Sequence, residues 1–318
     1  MLGPAAHPLL ELPPVSVIRY VLWCLLALAV LGPDVAAAQN GKSLPGLTSE
    51  CLLLIDTEGR VVFAKNAEED HAPASLTKMM SLYLAYEDIE RGRARLEDLV
   101  YISRHAAQTP RYRMGLRVGE EVPLRTIMEG VAIASANDAA TALAEHLAGD
   151  EAQFVARMND KARELGLSAT RFANPHGLPD PLQRTSARDM ATLMARLLAD
   201  HPDSRTMLGG QTFIYAGRVY ARHIFLFHDP GGVQALKTGF TRESGYNLAV
   251  SAWRNGQQFL MIVLGAPTRQ ASFLDAKKLL LHGFVESGID VPETEVRAKP
   301  TKSRPAKTKT RRAMGYRR

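Results

Sequence analysis

Residues 248–264, LAVSAWRNGQQFLMIVL, contain two apolar runs on either side of Asn255-Gly256. Asn-Gly is a dipeptide that type I′ hairpin turns prefer, because both of its residues tolerate a positive φ. Short apolar runs bounded by such a turn are typical of paired β-strands. The stretch therefore predicts a β-hairpin near the C-terminal end of the chain.

Similar patterns extend outward from this hairpin. A second hairpin is predicted near the N-terminus, where 52–55 and 61–63 flank the turn residues 56–59. Further strands are predicted at 212–215, 219–227 and 235–241, and helices at 75–89, 124–133, 139–147, 154–165, 190–198 and 273–286. Strands at both ends with helices between them predict an antiparallel sheet with a helical insertion.

Two helix starts carry capping signals. Asn137 or Asp138 is expected to cap the helix at 139–147. Ser186 followed by Asp189 resembles a capping box before the helix at 190–198.

Composition indicates an ordinary globular protein of one or two domains. The 318 residues are 46% hydrophobic and 23% charged, which excludes disordered and fibrous classes. The two cysteines are Cys24 and Cys51. Because Cys51 opens an apolar strand, we interpret it as a small buried residue and not as a nucleophile.

The first 38 residues are predicted to be a signal peptide. Arg19 is followed by an apolar run from Tyr20 to Leu31 and then by the small residues at 36–38. The run is about half of the ~20 residues that span a bilayer. The protein is therefore expected to be exported, to the periplasm or the outer face of the cytoplasmic membrane. An uncleaved N-terminal anchor is the alternative.

Residues 291–318 are predicted to be a basic, disordered tail after a catalytic domain at 39–290. Ten Lys or Arg and no acid lie between Arg297 and Arg318, whereas the whole chain has a net charge of +6. Such a tail is suited to attachment to anionic lipid or cell-surface polymer. Nucleic acid is not expected as a partner, because export argues against it.

A serine and a lysine three residues apart, Ser75 and Lys78, lie on one face of the predicted helix. A serine hydroxyl needs an adjacent base to become a nucleophile. Lys78 can act as that base only when it is neutral. Burial and a second nearby cation both lower a lysine pKa, and Lys237 is the candidate for that cation.

Two further motifs follow, Ser135-Ala136-Asn137 and Lys237-Thr238-Gly239. Ser135 is expected to relay a proton to the leaving amine, and Asn137 to hold a substrate carbonyl and order the lysines. Lys237 and Thr238 would bind a carboxylate, and Gly239 would admit substrate close to its strand. The backbone N–H groups of Ser75 and Phe240 are candidates for an oxyanion hole.

In this order the three motifs resemble those of penicillin-binding serine D-alanyl-D-alanine carboxypeptidases of the low-molecular-mass, peptidase S11 type. The resemblance runs from about Pro45 to Gly288 and is highly specific. It rests on the segments ASLTKMM at 74–80, SANDAA at 135–140, FANPHGL at 172–178, SARDMA at 186–191, LKTGFT at 236–241, GYNL at 245–248 and KKLL at 277–280.

This resemblance implies an α/β (α+β) fold of the β-lactamase/DD-peptidase type, with an antiparallel sheet flanked by helices and a helical subdomain between N- and C-terminal strands. It implies removal of the terminal D-alanine from peptidoglycan stem pentapeptides through an acyl-serine, with no metal or cofactor, and acylation by penicillins. The catalytic residues would be Ser75, Lys78 and Ser135. The substrate-binding residues would be Asn137, Lys237, Thr238, Gly239, Phe240 and Arg222, the last matching a family arginine near the K-T-G strand.

The chain departs from the family pattern at two places. Gln234-Ala235 replaces a usual Asp-Gly, and Ser272 stands where many members have an arginine that helps to bind the terminal carboxylate. Arg269, and more weakly Arg242, are candidates to replace that arginine.

Several alternatives stay open. A D,D-endopeptidase would use the same residues, and a non-catalytic peptidoglycan-binding homologue would keep the fold. A β-lactamase is disfavoured because residues 174–184 contain no glutamate to activate water. His176 is interpreted as a turn residue and not as a base, Glu120 and Glu121 as solvated, and the nine histidines show no metal-ligand spacing.

Overall fold

The computed structural model describes residues 44–110 and 112–291. The predicted signal peptide at 1–38 and almost all of the predicted tail at 291–318 lie outside these ranges. Within them, no helix has the length and apolar character that crossing a bilayer requires.

The strands and helices of the described chain follow the predicted order, with two corrections. The strand predicted at 219–227 ends at Ala221, and Phe225–Phe227 form a 3₁₀ turn. The helix predicted at 124–133 becomes a π-helical turn at Gly130–Ala134. The strands are β1 (Cys51–Ile55), β2 (Val61–Lys65), β3 (Leu99–Tyr101), β4 (Glu121–Pro123), β5 (Thr212–Tyr215), β6 (Arg218–Ala221), β7 (Val233–Thr241), β8 (Gly245–Arg254) and β9 (Gln257–Ala266). The α-helices are α1 (Lys78–Glu90), α2 (Arg104–Gln108), α3 (Leu124–Glu129), α4 (Asn137–Ala148), α5 (Glu151–Glu164), α6 (Ala187–Asp200), α7 (Ser204–Gly209) and α8 (Arg269–Glu286).

Five strands form one antiparallel sheet in the order β2-β1-β9-β8-β7. β1 pairs with β9, with Leu53 opposite Ile262, so the N- and C-terminal segments close the sheet together. The predicted fold class is therefore confirmed. β7, which carries the K-T-G motif, lies at the edge of this sheet.

The sheet separates two apolar cores, because successive side chains of a strand point to opposite faces. In β1, Leu53 and Ile55 pack into the core shared with the helical subdomain. Leu52 and Leu54 pack on the other face with residues of α8, among them Phe284. Burying both faces gives the sheet a fixed position between its helices.

The predicted C-terminal hairpin is present. Asn255 and Gly256 have φ values of 50° and 79°, as a type I′ turn requires. Cys51 is buried as expected, and burial raises its thiol pKa to about 11.

The capping predictions have mixed outcomes. Ser186 caps α6 by accepting a hydrogen bond from Asp189 N. At α4, the expected cap by Asn137 or Asp138 is wrong, because Ala136 is the N-cap and no side chain caps it. Asp138 instead accepts hydrogen bonds from the amides of Met114, Gly115 and Leu116, and so anchors that loop beside the site.

Candidate active site

The turn that carries Ser75 is a short 3₁₀ helix, Ala74–Thr77, which runs directly into α1. Two glycines pack against this turn. A Cβ on Gly177 would lie 2.0 Å from Ala74 O, and one on Gly239 would lie 3.0 Å from Ser75 N. Gly239 was expected to make room for substrate, but the atoms that approach it most closely belong to the Ser75 turn. Because neither glycine has a Cβ, the neighbouring backbone segments can pack directly against the turn and fix its position.

The Lys78 side chain lies fully buried beside Ser75. Its Nζ lies 3.1 Å from Ser75 Oγ, 2.7 Å from Asn137 Oδ1 and 2.5 Å from His176 O. Burial lowers the Lys78 pKa from 10.5 to about 7, although Asp138 acts in the opposite direction. The low Lys78 pKa that the sequence predicts is therefore present. Burial is the main cause of this low pKa, and repulsion from Lys237 is not.

A neutral Lys78 has the right number of partners for a base. A neutral amine has two N–H groups and one lone pair, and Asn137 Oδ1 and His176 O can each accept one N–H. The lone pair of the neutral amine is then left for the Ser75 hydroxyl, whose Oγ lies 3.1 Å from Nζ. This is the arrangement that general-base activation of a serine requires.

Asn137 is held in one orientation by its surroundings. Its Nδ2 donates to Pro110 O over 2.9 Å, and its backbone N donates to Tyr112 O over 2.6 Å. Because the amide nitrogen is used in this way, Oδ1 faces Lys78. Asn137 Oδ1 therefore fixes the position of the Lys78 amine.

Ser135 and Lys237 form a second amine–hydroxyl pair. Lys237 Nζ donates to Ser135 Oγ over 2.7 Å and to Thr238 O over 2.9 Å. Ser135 ends a π-helical turn (Gly130–Ala134) with a φ of 56°. A positive φ at a non-glycine residue is costly and typical of functional sites, and here it directs Ser135 toward β7.

Burial lowers the Lys237 pKa well below its ordinary value, and the positive charges of Lys78 and Arg222 lower it further. Two buried amines that repel each other do not both carry a proton readily. An anion entering the cleft would favour the charged form of Lys237.

Arg222 lies behind the site and contacts backbone carbonyls. Its guanidinium donates to Gly210 O over 2.7 Å and to Leu236 O over 2.8 Å, and it also contacts Leu208 O and Ala132 O. These bonds tie β7 to the end of α7 and to the π-helical turn before Ser135. The guanidinium is therefore engaged by the protein itself, which differs from the expected contact with substrate.

The remaining predicted residues lie along β7. Thr238 is half-buried and follows Lys237 on this edge strand. Phe240 is 38% exposed, and its ring stacks on Tyr246 with centroids 4.3 Å apart. The outer edge of β7 has no strand partner in the described part of the chain, so an extended peptide can pair there.

The candidate replacements for the carboxylate-binding arginine lie at the surface. Arg269 packs over the Phe273 ring at 5.5 Å and contacts His223 O at 3.4 Å. Ser272 is buried and its hydroxyl donates to Arg269 O over 2.8 Å. Arg242 is exposed just after the end of β7.

The loop at 174–178 supplies a contact that sequence reasoning missed, the carbonyl of His176. Asn174 holds the loop by accepting from Gly177 N over 2.7 Å and donating to Leu178 O over 3.0 Å. Burial, with the charges of Lys78 and His105, lowers the His176 pKa to about 3, so the imidazole is neutral. A backbone acceptor leaves no residue-type signal, although the turn-forming Asn-Pro-His-Gly sequence marks the loop.

The same loop region contains no glutamate. The single acid at 174–184 is Asp180, whose carboxylate accepts from Leu182 N over 2.8 Å. Across 44–110 and 112–291, no group of three His, Cys, Asp or Glu side chains is placed to hold a metal ion.

Comparison with known proteins agrees with this geometry. The sequence profile of the D-alanyl-D-alanine carboxypeptidase family (peptidase S11) matches residues 38–268. D-alanyl-D-alanine carboxypeptidase DacA of Haemophilus influenzae is 33% identical over 285 residues, which are 85% of this chain and 72% of that protein.

Solved structures show the same fold. Penicillin-binding protein 5 of Haemophilus influenzae matches with a TM-score of 0.74 and 34% identity, covering 77% of this chain and 73% of that one. Penicillin-binding protein D2 of Listeria monocytogenes, solved with cefotaxime bound, matches with a TM-score of 0.65 and 28% identity, covering 76% of this chain and 100% of that one. The chain therefore belongs to the D-alanyl-D-alanine carboxypeptidase family.

Proposed function

We propose that this protein is a serine-type D-Ala-D-Ala carboxypeptidase that removes the terminal D-alanine of peptidoglycan stem pentapeptides through an acyl-Ser75 intermediate. The observation that carries the proposal is the pairing of Ser75 Oγ with the buried Lys78 amine at 3.1 Å. The family membership supports the substrate class.

In the first step Lys78 accepts the Ser75 proton as Oγ bonds to the carbonyl carbon of the penultimate D-alanine. The developing oxyanion would accept hydrogen bonds from the backbone N–H groups of Ser75 and Phe240. Because a Cβ on Gly239 would lie 3.0 Å from Ser75 N, the strand and the serine turn are close enough to present both donors together.

The carbon–nitrogen bond then breaks and the leaving amine must gain a proton. Ser135 is proposed to relay to this amine the proton that Lys78 took from Ser75, because its Oγ accepts from Lys237 Nζ over 2.7 Å and its own O–H can donate to the amine. Water then hydrolyses the acyl-Ser75 ester and regenerates the serine.

Recognition of the substrate carboxylate is assigned to Lys237 and the Thr238 hydroxyl. The carboxylate offsets the burial and the repulsion that lower the Lys237 pKa, and so it favours the charged lysine. Peptides that lack a free terminal carboxylate could not form this pairing with Lys237. The site therefore favours a carboxypeptidase over an endopeptidase.

β-Lactams are proposed to acylate the same serine. The cefotaxime complex of the Listeria monocytogenes neighbour supports this proposal. The lack of a glutamate at 174–184 favours a long-lived adduct, since a positioned base would otherwise hydrolyse it.

We also propose that the protein acts outside the cytoplasm, in the periplasm or at the outer face of the cytoplasmic membrane. The signal-like segment before Gln39 supports this location. The basic segment after Arg297 is suited to contact anionic lipid or cell-surface polymer.

The test is to incubate the purified protein with labelled penicillin and, separately, with a pentapeptide ending in D-Ala-D-Ala. Label on Ser75 together with free D-alanine is the expected result, and Ser75→Ala should abolish both. Ser287→Ala, at the end of α8, serves as the serine control.

Other results would point to other functions. Label without D-alanine release, but with cleavage of cross-linked peptide dimers, would indicate an endopeptidase. Rapid loss of label without peptide cleavage would indicate a β-lactamase, and the absence of label would indicate a binding protein.

A further inference from the structure

A cavity of about 320 Å³ lies between α6 and the sheet, within the size range of small-molecule sites. Its apolar wall includes Leu53, Ile55, Ala191, Ala195, Leu198 and Leu260. None of the nine proposed catalytic and substrate-binding residues lines it. The cavity is therefore separate from the catalytic cleft.

Three residues that line this cavity carry buried N–H groups that have no acceptor in the described ranges. These groups are Arg188 Nη2, Arg205 Nε and Trp253 Nε1. Buried polar atoms in folded proteins almost always have a partner. Guanidinium and indole nitrogens only donate, so the missing partner must be an acceptor.

The charges around the cavity favour an anionic acceptor. Its one acidic lining residue, Asp56, is already bound by Arg60 Nε at 2.8 Å and by two amides of its own turn. Arg188 pairs with Glu68, and Arg196 pairs with Asp200.

Arg205 is the lining cation without an acidic partner. Within the described residues it forms no ion pair, and its guanidinium packs over the Trp253 ring at 5.6 Å. Arg205 is half-buried and, as an arginine, stays charged, so its positive charge has no acidic partner in the described ranges.

We propose that this cavity binds a small amphipathic carboxylate, such as a medium-chain fatty acid. The carboxylate would accept from Arg205 Nε and Trp253 Nε1, and the hydrocarbon chain would lie along the wall formed by α6 and the sheet. Arg205 and Trp253 line the same cavity as the apolar wall, so the ligand needs both a carboxylate and a hydrocarbon chain.

The probe is decanoate, with decanol as its uncharged counterpart. The full chain contains two tryptophans, so Trp23→Phe leaves Trp253 as the sole fluorophore. We expect saturable decanoate binding reported by Trp253 fluorescence and by calorimetry. Decanol should bind at least about tenfold more weakly, because charge-assisted hydrogen bonds are lost.

Two substitutions locate the site. Arg205→Gln should weaken decanoate binding by about tenfold or more. Ala195→Phe should abolish binding by filling the cavity. Arg163→Gln, at an exposed arginine on α5, is the matched control and should have no effect. Lys237→Gln tests whether decanoate occupies the catalytic cleft and should leave the Trp253 signal unchanged.

Folding of each variant is checked by thermal unfolding. The proposal is overturned if decanoate does not bind saturably, in which case the cavity holds only water. Equal affinity for decanol, or unchanged affinity in both Arg205→Gln and Ala195→Phe, would also overturn it.

Discussion

The Lys78 amine lies 2.7 Å from the side-chain oxygen of Asn137, and this contact uses one of its N–H groups. The carbonyl of His176 uses another at 2.5 Å. With both N–H groups engaged, the lone pair of a neutral Lys78 can face only Ser75.

Asn137→Asp tests this arrangement, because it replaces a neutral oxygen by an anion at the same place. The anion stabilises the charged amine, so the Lys78 pKa should rise by about one to three pH units. Acylation by penicillin at pH 7 should slow, and it should recover in alkaline buffer. Asn255→Asp, in the β8–β9 turn, is the control. An unchanged pH profile in Asn137→Asp would contradict the assigned contact.

The pH dependence of acylation follows from the Lys78 pKa of about 7. Below that value Lys78 is protonated and cannot accept the Ser75 proton, so the rate should fall about tenfold per pH unit. Above it the rate should level off. Stopped-flow measurement with a fluorescent penicillin gives the profile.

Lys78→Arg is the companion variant for that profile. Arginine stays protonated, so acylation should fall by a factor of about 10² or more. A wild-type rate that stays constant down to pH 5 would contradict a lysine base.

Gly177→Ala should disrupt the Ser75 turn. The new Cβ would meet Ala74 O at 2.0 Å, and the φ of 88° is unfavourable for alanine. Gly166 has a similar φ of 73°, and a Cβ added there would meet no atom within 4 Å. Gly166→Ala therefore measures only the cost of a positive φ at alanine, about 1–2 kcal/mol in the free energy of unfolding. We expect Gly177→Ala to lower the free energy of unfolding by more than this control and to lose penicillin labelling. Equal stability losses in the two variants would contradict the packing argument.

Arg222→Lys distinguishes positioning from substrate contact. A lysine cannot reach all of the carbonyls that Arg222 contacts, so the free energy of unfolding should fall by about 2 kcal/mol. A positioning role predicts a lower kcat for D-alanine release with KM nearly unchanged. A raised KM with unchanged stability would instead indicate a substrate contact. Arg218→Lys, on the exposed face of β6, is the control.

Much of the fold was predictable because its signals are local. The Asn255-Gly256 turn and its flanking apolar runs specify the β8–β9 hairpin without reference to the rest of the chain. The spacing of Ser75 and Lys78 specifies a shared helical face in the same way.

The features that sequence reasoning missed depend on distant parts of the chain. The role of Asp138 is set by the loop at Met114–Leu116, which a cap prediction does not consider. The small size of Gly239 matters because the Ser75 turn packs on it, and Arg222 is engaged by carbonyls from three separate segments. Such contacts exist only after the tertiary fold has formed.

The most direct test of the account is the protonation of Lys78 itself. Protein labelled with ¹³C at the lysine Cε positions can be titrated by NMR, with the Lys78 signal assigned by its loss in Lys78→Arg. We expect a midpoint near pH 7, so that much of the Lys78 amine is neutral at physiological pH. A midpoint near the ordinary lysine value of 10.5 would leave Ser75 without a base and would contradict the mechanism.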